Sequence, residues 1–151
     1  MKKTLFTLFA LFIIHAAPLA AQGMNINGGN VVLGITTGLP GLQPLSVTNT
    51  ATRLTFKRQA DITKVTVATS CPGQDFTLTV LATSVTAGTA APEVTLTNGM
   101  LAVDFIRDIP VRPPVNETCT LRYTASATFA QGNSVELGDD VHTVTYTIIT
   151  Q

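Results

Sequence analysis

Hydrophobic and polar residues alternate along most of the chain with a period of two. That is the mark of a strand, whose successive side chains point to opposite faces. The clearest runs lie near the C-terminal end. Over residues 118–129, Cys119, Leu121, Tyr123, Ala125, Ala127 and Phe129 take every second position. Over residues 143–149, Val144, Tyr146 and Ile148 alternate with threonines. Each run has one apolar and one hydroxyl-rich face, as in an antiparallel sheet buried on one side and wet on the other. Upstream, Leu54 and Phe56 alternate with Thr55 and Lys57; Val65, Val67, Thr69 and Cys71 share a face; Phe76, Leu78 and Val80 alternate with Thr77 and Thr79.

Turn residues divide these runs. Pro72-Gly73 predicts a hairpin over residues 62–81, and Asn98-Gly99 a second one over residues 93–106. Residues 45–49 and 52–57 read as two short strands, and 31–36 as a candidate first strand broken at Gly34. Val135-Glu136-Leu137 adds a short edge strand, and Pro110, Pro113 and Pro114 mark an extended connection. Residues 22–30, rich in Gly and Asn, read as a mobile leader, followed by turn chemistry over residues 38–44. No long 3.6-residue period occurs after the N-terminal stretch. About seven to nine short strands, with turns every 8–12 residues or so, predict an all-β fold. The expected architecture is an immunoglobulin-like antiparallel β-sandwich, with a barrel as the alternative. Residues 22–44 form the leader and residues 45–151 the sandwich.

The N-terminus changes the compartment. Lys2 and Lys3 precede an apolar run over residues 5–14, and Ala16-Ala17-Pro18-Leu19-Ala20-Ala21 follows. This is the layout of a secretory signal helix over residues 1–21, cleaved between Ala21 and Gln22. The run falls short of the roughly 20 residues that span a bilayer. An uncleaved anchor is the competing reading. Export to the periplasm, cell surface or medium is expected, with no membrane span after the signal is removed. The mature chain then carries seven basic and nine acidic residues, a net charge of −2. No basic surface for nucleic acid is expected.

In an oxidising compartment two cysteines suggest a pair. Cys71 and Cys119 would close a loop of 47 intervening residues, worth about 4 kcal/mol in the chain-entropy model. Two separate buried thiols are the alternative. Signals for catalysis are sparse. The mature chain has one histidine, His142, and no Gly-x-Ser-x-Gly elbow; His142 reads as a solvent-facing strand residue. Asp139-Asp140 and the Asp104/Asp108 pair lack the ligand spacing of a calcium loop, and Asp139-Asp140 reads as an exposed turn. Asn116-Glu117-Thr118 matches a glycosylation sequon. Without tryptophan the chain offers only Tyr123 and Tyr146 as larger polar aromatics; both sit on apolar faces and read as core residues with the hydroxyl at a rim. No cofactor or metal is expected, and the chain reads as a non-enzyme.

The export signal, the two cysteines, the threonine-rich strands and the C-terminal alternation after Gly138 resemble fimbrial subunits of the chaperone–usher type and the related spore-coat-U-like domains. The chain departs from the fimbrial pattern at Thr150, where those families carry an aromatic, and in the position of its cysteines. The resemblance implies a structural, adhesive or surface-assembly role at the bacterial envelope. It makes Val144, Tyr146 and Ile148 the assembly strand, with protein partners or self-assembly through that C-terminal edge. It also raises donor-strand exchange, with residues 22–30 as donor. A monomeric periplasmic module binding a ligand or protein is the alternative.

Overall fold

A computed structural model describes residues 23–36, 42–111, 115–131 and 137–151. Its two longest strands, β2 (Val47–Lys57) and β8 (Asn116–Ser126), pair with each other. Around them β1 (Met24–Asn27), β4 (Thr77–Thr83) and β6 (Val94–Leu96) complete a five-stranded sheet in the order β1-β2-β8-β4-β6. A second sheet has the order β5-β7-β3-β9, from β5 (Thr89–Ala90), β7 (Val103–Ile109), β3 (Thr63–Ser70) and β9 (Thr143–Thr150). All the pairings are antiparallel. The fold is all-β, two antiparallel sheets facing each other as a β-sandwich.

The period-two pattern explains the core. Along β8, Cys119, Leu121 and Tyr123 are buried while the alternate threonines are only partly covered. They meet Leu54 and Phe56 of β2 and Val80 of β4 on one side, and Val65, Val67, Phe105, Ile106 and Tyr146 of the other sheet. Each fully covered Leu, Ile or Phe adds about 2 kcal/mol of hydrophobic stabilisation relative to exposure. On the outer face the threonines answer one another across strands: Thr48 and Thr124 lie 3.1 Å apart at their hydroxyls.

Two expected hairpins are corrected. Residues 62–81 and 93–106 do not form hairpins: β3 and β4 lie in different sheets, and so do β6 and β7. The two C-terminal strands, β8 and β9, also lie in different sheets. A Pro-Gly or Asn-Gly turn reverses the chain without deciding whether the next strand stays in its sheet. A strand with one apolar face buries it equally well from either side of a sandwich. Asn98 shows the difference. Its Oδ1 accepts from Cys71 N at 2.9 Å, and its own N–H donates to Gln74 Oε1 at 2.7 Å. The Asn98-Gly99 turn is thereby tied to the β3–β4 corner.

The leader is also corrected. Residues 24–27 are not mobile but form β1, in register with Arg53 to Phe56 of β2. Residues 45–49 and 52–57 are not two strands; β2 runs through both, with a register shift between Asn49 and Thr52. The chain leaves β1 at Gly28, whose φ is +119° and where a Cβ would lie 2.9 Å from the Ala51 carbonyl oxygen. Only glycine fits that approach without strain.

No Cys71–Cys119 disulfide is present; both are free, buried thiols. Cys71 follows β3 at the end of the sandwich where β4 starts at Thr77, opposite Ser126. Cys119 lies seven residues back along β8 from Ser126, a separation of roughly 20 Å at the rise of a strand. A disulfide needs Cα atoms within about 7 Å. An even cysteine count carries no information on which end of a strand each one occupies.

At Cys119's end, Arg58 Nη2 and Glu117 Oε1 form an ion pair at 2.5 Å, and Thr86 Oγ1 donates to Glu117 Oε2 at 2.6 Å. The sequon threonine is engaged as well: Thr118 N donates to Thr86 Oγ1 at 2.8 Å. The cleavage positions Ala21 and Gln22, the signal helix, and Val135 and Glu136 lie outside the described residues. Among the described residues no helix is long and apolar enough to cross a membrane.

Candidate functional site: an open seam and a Cys-Asp-His cluster

Among the described residues β9 pairs with β3 on one side only, which leaves its other edge open. Because β5 and β7 lie against β4, β9 falls on the β1–β2 side of the sandwich. Between them the inner faces part into an open groove of ≈ 1110 Å³. Leu78, Tyr123 and Ala125 line it from one sheet and Val144 from the other, while Asp140 and His142 stand at its margin.

Residues 29–36 run across this groove. Val31, Leu33 and Ile35 are half-buried while Val32 is 87% exposed. Val31 and Leu33 pack on the core. No backbone hydrogen bond ties residues 30–36 to a strand among the described residues. The expected first strand therefore alternates in burial as a strand does but joins no ladder among the described residues.

The assembly residues expected on the last strand are all inside. Tyr146 is buried, and Val144 and Ile148 are half-buried against the core. What β9 offers outward is its backbone edge, not these side chains. Tyr123 and Tyr146 are likewise not rim residues. Their hydroxyls meet at 2.9 Å in the core and join the two sheets. Burial pushes both phenols up from their ordinary value. Tyr146→Phe or Tyr123→Phe strands the other hydroxyl and is expected to cost about 1–2 kcal/mol. The double variant should cost less than the sum of the two, leaving a coupling of about 1 kcal/mol in urea unfolding.

At the end of the groove the β3–β9 ladder brings three side chains together. Ser70 pairs with Thr143, so one step further Cys71 comes opposite His142, and Asp140 shares the face of His142 by the period of two. One ligating atom from each of Cys71, Asp140 and His142 lies within 4.8 Å of the other two. His142 is not solvent-facing: its Nδ1 lies 3.3 Å from Thr69 Oγ1, and its Nε2 is buried with no partner among the described residues. Asp140 is not a free turn carboxylate. Its Oδ2 accepts from Phe76 N at 2.8 Å and its Oδ1 from Asp75 N at 3.0 Å.

Cys71 is fully covered. Desolvation and the Asp140 carboxylate raise its thiol pKa, and a hydrogen bond from the Val141 backbone opposes them. A covered thiol held protonated is a poor nucleophile, so the trio does not favour cysteine catalysis. Its donor set of sulfur, nitrogen and oxygen suits a metal ion better. The remaining acidic groups are scattered: Asp104 pairs with Lys64 at 2.7 Å, and Asp108 accepts from Gln151 Nε2 at 3.0 Å. No sequence signal marked the trio, because an Asp-x-His beside a strand gains meaning only once the register places a cysteine opposite.

Compared with family models, with curated proteins and with solved structures, the chain matches none.

Proposed function

We propose that this chain is an exported, non-enzymatic, immunoglobulin-like β-sandwich with a structural, adhesive or assembly role at the bacterial cell envelope. One observation carries the reading: among the described residues, the open edge of β9 lies beside a seam lined by an apolar segment, residues 31–36, that joins no ladder. An open edge is a template for a strand from another chain. An alternating segment seated in a groove without backbone bonds can leave it for the equivalent groove of a second copy, where main-chain bonds add to the side-chain fit. In this reading the donor is residues 31–36 rather than residues 22–30, whose β1 portion is already paired with β2.

The test is electron microscopy of native surface material with antibody labelling, together with the size distribution of the purified mature chain. Labelled filaments or ladders of oligomers are expected. Leu33→Asp places a charge in the groove and should leave monomers only, with the circular dichroism of the sandwich retained. A wild-type chain that is monomeric at all concentrations and absent from surface structures would overturn the assembly role and favour a periplasmic binding module.

A further inference from the structure

We propose that Cys71, Asp140 and His142 form a binding site for a borderline-soft divalent cation of the zinc class. The three donors already lie within 4.8 Å of one another. In a four-coordinate zinc site, bonds of roughly 2.0–2.3 Å place neighbouring donors about 3.5 Å apart. The closure needed is about 1 Å, within the reach of side-chain rotation. A thiolate disfavours calcium and magnesium, which take oxygen ligands, whereas thiolate, imidazole and carboxylate together suit zinc. Thiolate and carboxylate also balance the charge of a divalent ion.

The surroundings orient the donors as outer groups of a metal site do. Thr69 Oγ1 lies 3.3 Å from His142 Nδ1 and 3.4 Å from the Thr143 carbonyl oxygen. The Thr69 hydroxyl donates to that carbonyl and accepts the Nδ1 proton, which leaves the lone pair on Nε2. That Nε2 is the buried nitrogen with no partner among the described residues, and a cation would satisfy it. The amides of Asp75 and Phe76 hold the Asp140 carboxylate, which keeps lone pairs to spare. A purely structural trio accounts for Asp140 as a cap but leaves the His142 lone pair unmet. Asp140 and His142 also line the groove, so a fourth ligand, water or a donor from a partner strand, has access from that side. On binding, the Cys71 thiol loses its proton to solvent as the sulfur–metal bond forms, so affinity rises with pH.

The experiment uses the mature chain, stripped with chelator and kept reduced. Zinc is titrated by calorimetry, and cobalt(II) serves as the spectroscopic probe. One equivalent should bind, raise the unfolding temperature and, with cobalt, give a thiolate-to-metal charge-transfer band and the intense visible bands of tetrahedral geometry. Cys71→Ser should abolish the charge-transfer band, and His142→Gln should weaken zinc binding by more than the about 10–100-fold that losing an outer partner costs. Cys119→Ser should change neither. X-ray absorption of the zinc-loaded wild type should show one sulfur with nitrogen and oxygen neighbours, a readout independent of how the variants fold. No stoichiometric binding, a first shell without sulfur, or a charge-transfer band that survives Cys71→Ser would overturn the site.

Discussion

Taken from pH 8 to pH 11, the domain is expected to lose about 3 kcal/mol of stability through Cys119, with a further loss from two core tyrosines. The cause is three buried acids in the core. The Cys119 thiol, 1% exposed, is pushed from 9.0 up to about 11 by burial, with a backbone hydrogen bond from Leu54 opposing. Burial also raises Tyr123 and Tyr146 above 10.0; the hydrogen bond from Tyr146 opposes the rise at Tyr123, whereas the charge of Tyr123 adds to it at Tyr146. All three bind their protons more tightly folded than unfolded. Their contribution is therefore fully present below the unfolded values and is lost as pH rises, because the unfolded chain then ionises first. Each pH unit within a group's window removes about 1.4 kcal/mol. Cys119 gives up about 3 kcal/mol between pH 9 and 11, and the two tyrosines add to the loss as pH rises past 10. The Cys119 loss alone is a large share of the about 5–15 kcal/mol that holds an ordinary domain folded. Urea unfolding followed by circular dichroism at intervals from pH 8 to 11 measures it. Cys119→Ala should remove the portion that begins at pH 9. A stability flat to pH 11 would mean that thiol and phenols reach water.

Phe105→Ala should be the most damaging single truncation, at about 4 kcal/mol. Phe105 is fully buried on β7, and its ring meets Tyr146 at 5.2 Å between centroids and 52° between planes. Its loss opens a cavity between the sheets and removes a tilted aromatic contact of about 1 kcal/mol. Phe129→Ala is the matched control. Phe129 continues the alternation of β8 in sequence, yet it lies past the strand's end at Ser126 and is 58% exposed. Its change should stay within about 0.5 kcal/mol. Thermal and urea unfolding of the two variants side by side separates them.

The contrast between these phenylalanines shows how far pattern reaches. Alternation located β3, β4, β7, β8 and β9 and named most of their inward residues, because a strand with one wet face must place its apolar side chains two apart. It could not see where β8 ends, since Ala127 and Phe129 keep the period after the backbone has left the ladder for the turn Phe129–Gln131. It also read Asn25 and Gly28 as a loose leader. β1 is held by the edge of β2, and the polar composition of an edge strand resembles that of a loop.

The seam and the metal-type cluster were less legible for the same reason. His142 and Asp140 follow a glycine in a short polar stretch, where the neutral expectation is an exposed turn. Only the pairing of Ser70 with Thr143 turns them inward and sets Cys71 beside them. The missing disulfide is the other face of that fact. The register that brings Cys71 to His142 holds it at the opposite end of the sandwich from Cys119.

The sequence by itself determined the class of fold: period-two burial, threonine on the wet faces, and turn residues between runs leave an antiparallel all-β domain as the consistent outcome. The tertiary structure alone decided which strands share a sheet, that β9 has no second partner among the described residues, and which side chains meet at the end of the groove. The physical reason is that alternation specifies a face but not a neighbour. Neighbours are chosen by long-range packing and hydrogen-bond register, which no local spacing encodes.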